Sequence, residues 1–239
     1  SNVSDKAQIL HYGETYEKRK LVILAISSSD KILNLEKIRE NHISYLDPKH
    51  PNYSEESKPE DIPVIINLAY SVHGNEPSTS EAALLTAYTL IGSKSDEISK
   101  YLSESIILID PTLNPDGRDR HTHWVNTYKG SPLVDDPQDA EHNEYWPGGR
   151  TNHYWFDLNR DWYLGIHPES RSKLKWYHSW KPNVTADFHE MGTNSTYFFV
   201  PFKPNGSLNP VIPKENYEYF NFRIWRKRTH FGLENITKS

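Results

Sequence analysis

The chain has 239 residues and no cysteine. Structural disulfides, thiolate nucleophiles and cysteine-ligated zinc are therefore excluded, and the redox compartment is left open. Long apolar runs are missing too: none approaches the roughly 18 residues of a membrane-spanning helix, so no span is expected. A basic excess is absent, because 27 Lys and Arg stand against 32 Asp and Glu, for a formal net charge of −5. Nucleic-acid-binding domains carry a basic excess or stripe, so nucleic acid is not an expected partner. The one dense basic run, Arg223 to Arg228, reads as a solvated helix face. Hydrophobic residues are low at 36%, but aromatics reach 13%. That argues against disorder, in which aromatics are scarce, and gives the chain large groups to bury. With no thiols, the 12 histidines are the metal-capable pool.

Such a length suits one ordinary domain or two small ones and can bury a core without staples. The chain begins Ser1-Asn2 and not with Met, which reads as the remnant of a cleaved tag. No signal peptide is visible.

Leu21 to Ile26 is a short apolar run with β-branched residues, a strand. A helix capped by Ser29 or Asp30 is expected near 31–41, with Ile32, Leu35 and Ile38 at helical spacing. Residues 47–61 read as an exposed loop. Ile62 to Tyr70 is a nearly continuous apolar run, as for a strand covered on both faces. A helix is expected over 79–91, a buried strand over Ser105 to Asp110, a helix from Pro168 to Trp180 and a short strand from Val184 to Phe188. Thr196 to Val200 reads as a further strand and 212–230 as a helix. Residues 114–163 show little hydrophobic periodicity and read as a long functional loop. The alternation favours an α/β sheet with helices on both faces.

Ligands of open α/β sheets bind beyond the carboxyl ends of the strands. The polar residues hardest to explain structurally fall there. His73 and Glu76 follow one strand, Asn114 to Gly117 a second, and His189 a third. Two imidazoles and a carboxylate suit zinc, whose catalytic sites use three protein ligands and keep a fourth position open. Any one of these residues alone is more often an ordinary loop residue.

Four motifs in order change that weighting: His73-Gly74-Asn75-Glu76, Asn114-Pro115-Asp116-Gly117, Asp157-Leu158-Asn159-Arg160 and Asp187-Phe188-His189. Together they resemble the M14 zinc carboxypeptidase family, across about residues 62–200. The resemblance implies a mixed, mostly parallel twisted sheet with helices on both faces. It implies one Zn2+ held by His73, Glu76 and His189. It implies that Asn159 and Arg160 hold the terminal carboxylate of a peptide substrate, a pairing in which a guanidinium grips bidentately and an amide adds a donor. Asn114 to Gly117 reads as a structural turn. Asp187 is either a partner behind His189 or a strand-end residue. The family also carries an arginine that stabilises the oxyanion. Arg118, Arg120 and Lys129 are all candidates for it, with Arg120 preferred. His121, His123, His142 and His153 read as polar loop residues. Members are often exported, which favours a periplasmic or secreted location with an export signal removed.

The family's general base is a glutamate well beyond the last ligand. Here the remaining acids are Glu190, Glu215, Glu218 and Glu234, and none lies on a suitable strand. Residues 1–239 are thus expected to be a single peptidase domain, incomplete at its C-terminus, with the base beyond Ser239. Residues Thr193 to Tyr197 are expected at the cleft rim. Hydrolysis of C-terminal peptide bonds is the leading reading. The competing ones are an amidohydrolase of the desuccinylase or deacylase type acting on N-acyl amino acids, a non-catalytic zinc- or ligand-binding domain, and a structural domain without metal.

Overall fold

Aliphatic and β-branched residues crowd the segments that form the sheet. The computed structural model describes residues 4–54, 58 and 62–191. Its strands are β1 (Ala7–Glu14), β2 (Lys20–Ile26), β3 (Val64–Tyr70), β4 (Ser105–Asp110) and β5 (Val184–Phe188). They form one mixed sheet in the order β1-β2-β4-β3-β5. β2 runs antiparallel to β1 and β4, while β3 runs parallel to β4 and β5. The helices are α1 (Ser29–Leu33), α2 (Leu35–Leu46), α3 (Pro77–Gly92), α4 (Asp96–Glu104), α5 (Pro115–Tyr128) and α6 (Pro168–Trp180). The chain divides into two compact units, Ser1–Glu190 and Met191–Ser239, and every element named here belongs to the first. The strand expected over 196–200, the helix over 212–230, the rim at 193–197 and the basic run lie outside the described residues.

Every residue of β4 is buried, so its alternating side chains serve two cores. Ile106 and Leu108 pack with Ile23, Ile65, Leu35 of α2, and Trp176 and Trp180 of α6. Ile107 and Ile109 pack on the opposite face with Ile26, Tyr70, Ala83 and Leu90 of α3, and Leu102 of α4. Helices therefore cover both faces, as the apolar runs of β3 and β4 require. Polar groups are buried beside the first core. Lys173 of α6 reaches Asp110 at the end of β4, Nζ to Oδ2 at 2.8 Å, and Tyr12 donates to the same oxygen at 2.9 Å.

The helix expected near 31–41 breaks at Asn34, which closes α1 and opens α2. Three elements were not expected: β1, α4 and α5. The long polar stretch after residue 114 begins not as a loop turn but as α5. Asn114 caps it, accepting from the Gly117 amide at 3.0 Å, and Pro115 takes the first position, where no amide hydrogen is needed. Among the described residues, no helix is long and apolar enough to cross a membrane.

Candidate metal centre

Parallel pairing brings distant residues together. The β3–β5 register sets Ala69 opposite Asp187 and Tyr70 opposite Phe188, and the two rings stack at 4.2 Å between centroids. The residues that leave these two strands must then emerge side by side. Beyond β3 the chain turns through Ser71, whose φ is +56°, and reaches His73; Glu76 caps α3. Beyond β5 comes His189.

Glu76 lies between the two imidazoles. Its Oε1 is 2.8 Å from His73 Nδ1 and its Oε2 is 3.2 Å from His189 Nδ1. Donor atoms of all three residues lie within 4.8 Å of one another. Each ring has a carboxylate behind it: His73 Nε2 is 3.0 Å from Asp157 Oδ1, and His189 Nε2 is 2.9 Å from Asp187 Oδ2. Such backing fixes which nitrogen faces inward and raises its basicity. The donor set fits zinc, which takes imidazole nitrogen and carboxylate oxygen. Burial opposes the charge on Glu76, but bonds from His189, His73 and the Glu190 amide outweigh it and hold the carboxyl at about 2. Bonds to Asp187 and Glu76 push the His189 imidazole up to about 10, against the effect of burial. The two shifts share the Glu76–His189 contact, but the largest push on His189 comes from Asp187.

Asp157 accepts from the Asn159 amide at 2.9 Å and so starts the 3-10 turn Leu158–Arg160. Asn159 accepts from Trp162 Nε1 at 2.9 Å. Arg160 is exposed, and among the described residues its guanidinium donates to the Asn159 carbonyl alone, at 3.1 Å. Among the described residues it forms no ion pair; Asp157 is engaged by Arg150, and Asp161 accepts the amides of Ile166 and His167.

Arg120, the preferred oxyanion residue, is turned elsewhere. Its guanidinium donates to the carbonyls of Gly148 and Asn152, both at 2.9 Å, and of Thr151 at 3.3 Å. It fastens a loop. The arginine beside the cluster is Arg150, with Nη1 3.4 Å from His73 Nδ1 and 4.0 Å from Glu76 Oε1. Its Nε and Nη2 grip Asp157 Oδ2 at 3.2 and 2.9 Å. Sequence reasoning passed over Arg150 because it sits in irregular chain; the Gly148-Gly149 pair before it was the available signal. Glu190 turns its carboxylate to the start of α3, accepting from the Ser78 amide at 2.5 Å. Of the other candidates, Arg118 pairs with Glu81 at 3.0 Å, and Glu215, Glu218 and Glu234 lie outside the described residues.

Fold and site together define a chain with a His-Glu-His cluster, its donor set suited to a metal, at the carboxyl edge of a mixed sheet. It belongs to the zinc carboxypeptidase family (Peptidase M14), whose model matches residues 1–218. No curated protein matches it by sequence. Among solved structures it is similar to a carboxypeptidase described as putative from Burkholderia mallei, at 14% identity and a TM-score of 0.49 over 78% of this chain and 35% of that one. It is similar to a metallo-carboxypeptidase from Burkholderia cenocepacia, at 15% identity and a TM-score of 0.48 over 77% of this chain and 36% of that one. Carboxypeptidase A from Helicoverpa armigera gives 16% identity and a TM-score of 0.49 over 79% of this chain and 42% of that one. The chain thus spans between 35% and 42% of the length of these structures.

Proposed function

We propose that the protein hydrolyses the C-terminal peptide bond of peptides, with one Zn2+ held by His73, Glu76 and His189. The observation that carries this reading is the convergence of the two imidazoles on Glu76, one from three residues away in sequence and the other from 113, each ring backed by its own carboxylate. Zinc bound there supplies Lewis acidity to carbonyl and water oxygens. The rest falls to the chain's own groups. Arg160, exposed and without an ion pair among the described residues, grips the substrate's terminal carboxylate, and Asn159 orients it. That grip separates a chain end from an internal bond. Arg150 replaces Arg120 as the cation facing the oxygen on which negative charge develops. Asp157 holds both His73 and Arg150, so it sets their spacing. The general base belongs outside the described residues in this reading, because Glu190 is turned toward Ser78.

The test is an assay of the full native protein on peptides with free and with amidated C-termini, and on N-acyl amino acids, with and without a chelator. Release of C-terminal residues that the chelator abolishes, with amides refused, is the expected result. Arg160→Met should lower kcat/KM about 10- to 100-fold, the worth of hydrogen bonds to a charged group. Equal cleavage of free and amidated peptides would sink the proposal. Activity confined to N-acyl amino acids would point to the deacylase reading.

A further inference from the structure

Glu144 lies in the loop between α5 and the 3-10 turn, and no motif marks it. Its side chain is only 15% exposed, and both oxygens are engaged. Oε1 accepts from the Gly149 amide at 2.7 Å and lies 3.0 Å from His121 Nδ1; Oε2 accepts from Asn75 Nδ2 at 2.9 Å. Burial opposes its charge, but the bonds to His121, Gly149 and Asn75 hold its carboxyl below the usual range. One carboxylate thus ties together three separate pieces of chain: the turn between His73 and Glu76, the helix α5, and the residue before Arg150.

The backbone around Arg150 is pinned from the other side as well. Arg120 takes the Gly148 and Thr151 carbonyls, and Asn114 donates to the Arg150 carbonyl at 3.1 Å. Glycines let the pieces touch. A Cβ on Gly149 would lie 2.5 Å from the Gly117 oxygen, and one on Gly74 would lie 2.6 Å from the Gly149 oxygen. Closing the loop itself is the task of a different acid, Glu141, which accepts the amides of Gly130 and Val134 at 3.2 and 3.0 Å. What Glu144 adds is a fixed distance between the Arg150 segment and the ligand turn.

We propose that Glu144 is a positioning residue for the hydrolysis proposed above, on which this inference rests. It holds Arg150 beside the His73–Glu76–His189 cluster, acting through the Gly149 amide and Asn75. The Arg150 side chain is 44% exposed, so its aim depends on where its backbone is held. Electrostatic stabilisation of a developing charge falls steeply when the donor is displaced by about 1 Å.

The experiment compares the full native protein with Glu144→Ala, Glu144→Gln and the double variant Asn75→Asp/Glu144→Gln. The last reverses donor and acceptor in the Asn75 contact. Peptide hydrolysis, zinc content and amide hydrogen exchange are measured on each. In Glu144→Ala, kcat should fall about 10- to 100-fold with KM little changed. One zinc per chain should remain, and exchange at Gly149–Thr151 should accelerate. The double variant should recover most of the kcat lost in Glu144→Gln. Loss of kcat that only follows loss of zinc, unchanged exchange at Gly149–Thr151, or no recovery in the double variant overturns the proposal. If the wild-type protein cleaves no peptide at all, it is the hydrolysis reading that fails. The exchange measurement then still decides whether Glu144 holds the Arg150 segment: acceleration supports it and unchanged protection overturns it.

Discussion

Glu169, at the start of α6, is fully buried, and neither carboxyl oxygen has a hydrogen-bond partner among the described residues. Burial raises its pKa first and the nearby Asp116 charge adds to that; its own amide, Asn152 and the Tyr16 backbone ease the shift without completing a bond. The unfolded chain ionises this group at the ordinary value, near 4.3. The folded protein therefore binds the proton more tightly. That contribution to stability is complete below the ordinary carboxylate range and is lost as pH rises through the elevated folded value. Glu169→Gln keeps the shape and removes the titration. Denaturation midpoints measured from pH 4 to 8 should show the variant gaining on wild type as pH rises; parallel profiles would refute this. At this same scale the sequence was informative about which residues would cluster but not about their supports. The His73, Glu76 and His189 cluster was legible because each follows an apolar run whose end is unmistakable. Asp157 and Arg150 were not, because a residue's role behind a ligand is decided by distance in space, and no local pattern encodes that.

Among the elements, β2 to β5 and α6 were legible because burial on one or both faces forces a run or a period. α5 was hidden because it is a polar helix: of its side chains only Trp124 and Asp116 are buried, so no apolar stripe marks it. What fixes α5 is its cap and its close approach to the ligand turn. A Cβ on Gly74 would stand 2.1 Å from the Arg118 nitrogen, and one on Gly117 would stand 2.3 Å from the Gly149 oxygen. Both contacts are with backbone, which cannot rotate aside. Gly74→Ala and Gly117→Ala should each destabilise by about 1–3 kcal/mol, the usual cost of overpacking. Gly92, at the end of α3, would meet nothing within 4 Å. Gly92→Ala should be neutral or stabilising by about 0.4–1 kcal/mol. Chemical denaturation of the three variants checks the contrast, and equal effects at all three positions would show that the close approach is not tight.

For the molecule as a whole, a ligand that binds only the folded state raises stability by mass action. Zinc at 100 times its dissociation constant should add about 2.7 kcal/mol. For a chain of this size that is a rise in Tm of roughly 5–10 °C. Thermal unfolding with and without zinc should show that rise in wild type and little of it in His189→Ala. An equal rise in both would place the ion elsewhere. The mixed sheet was legible as a class, but the antiparallel edge made by β1 was not, since its exposed and half-buried residues follow no clean alternation.

The β3–β5 register has a consequence for how the molecule assembles. His73 and Glu76 are neighbours in sequence, whereas the third donor is 113 residues from Glu76. In the zinc site proposed above, the unfolded chain offers the metal just the local pair of these three donors; the chelate becomes three-pointed when β5 has docked beside β3. Metal retention is therefore a gauge of sheet closure. A change that loosens the Tyr70–Phe188 stack should register as weaker chelation, although neither ring donates to the ion.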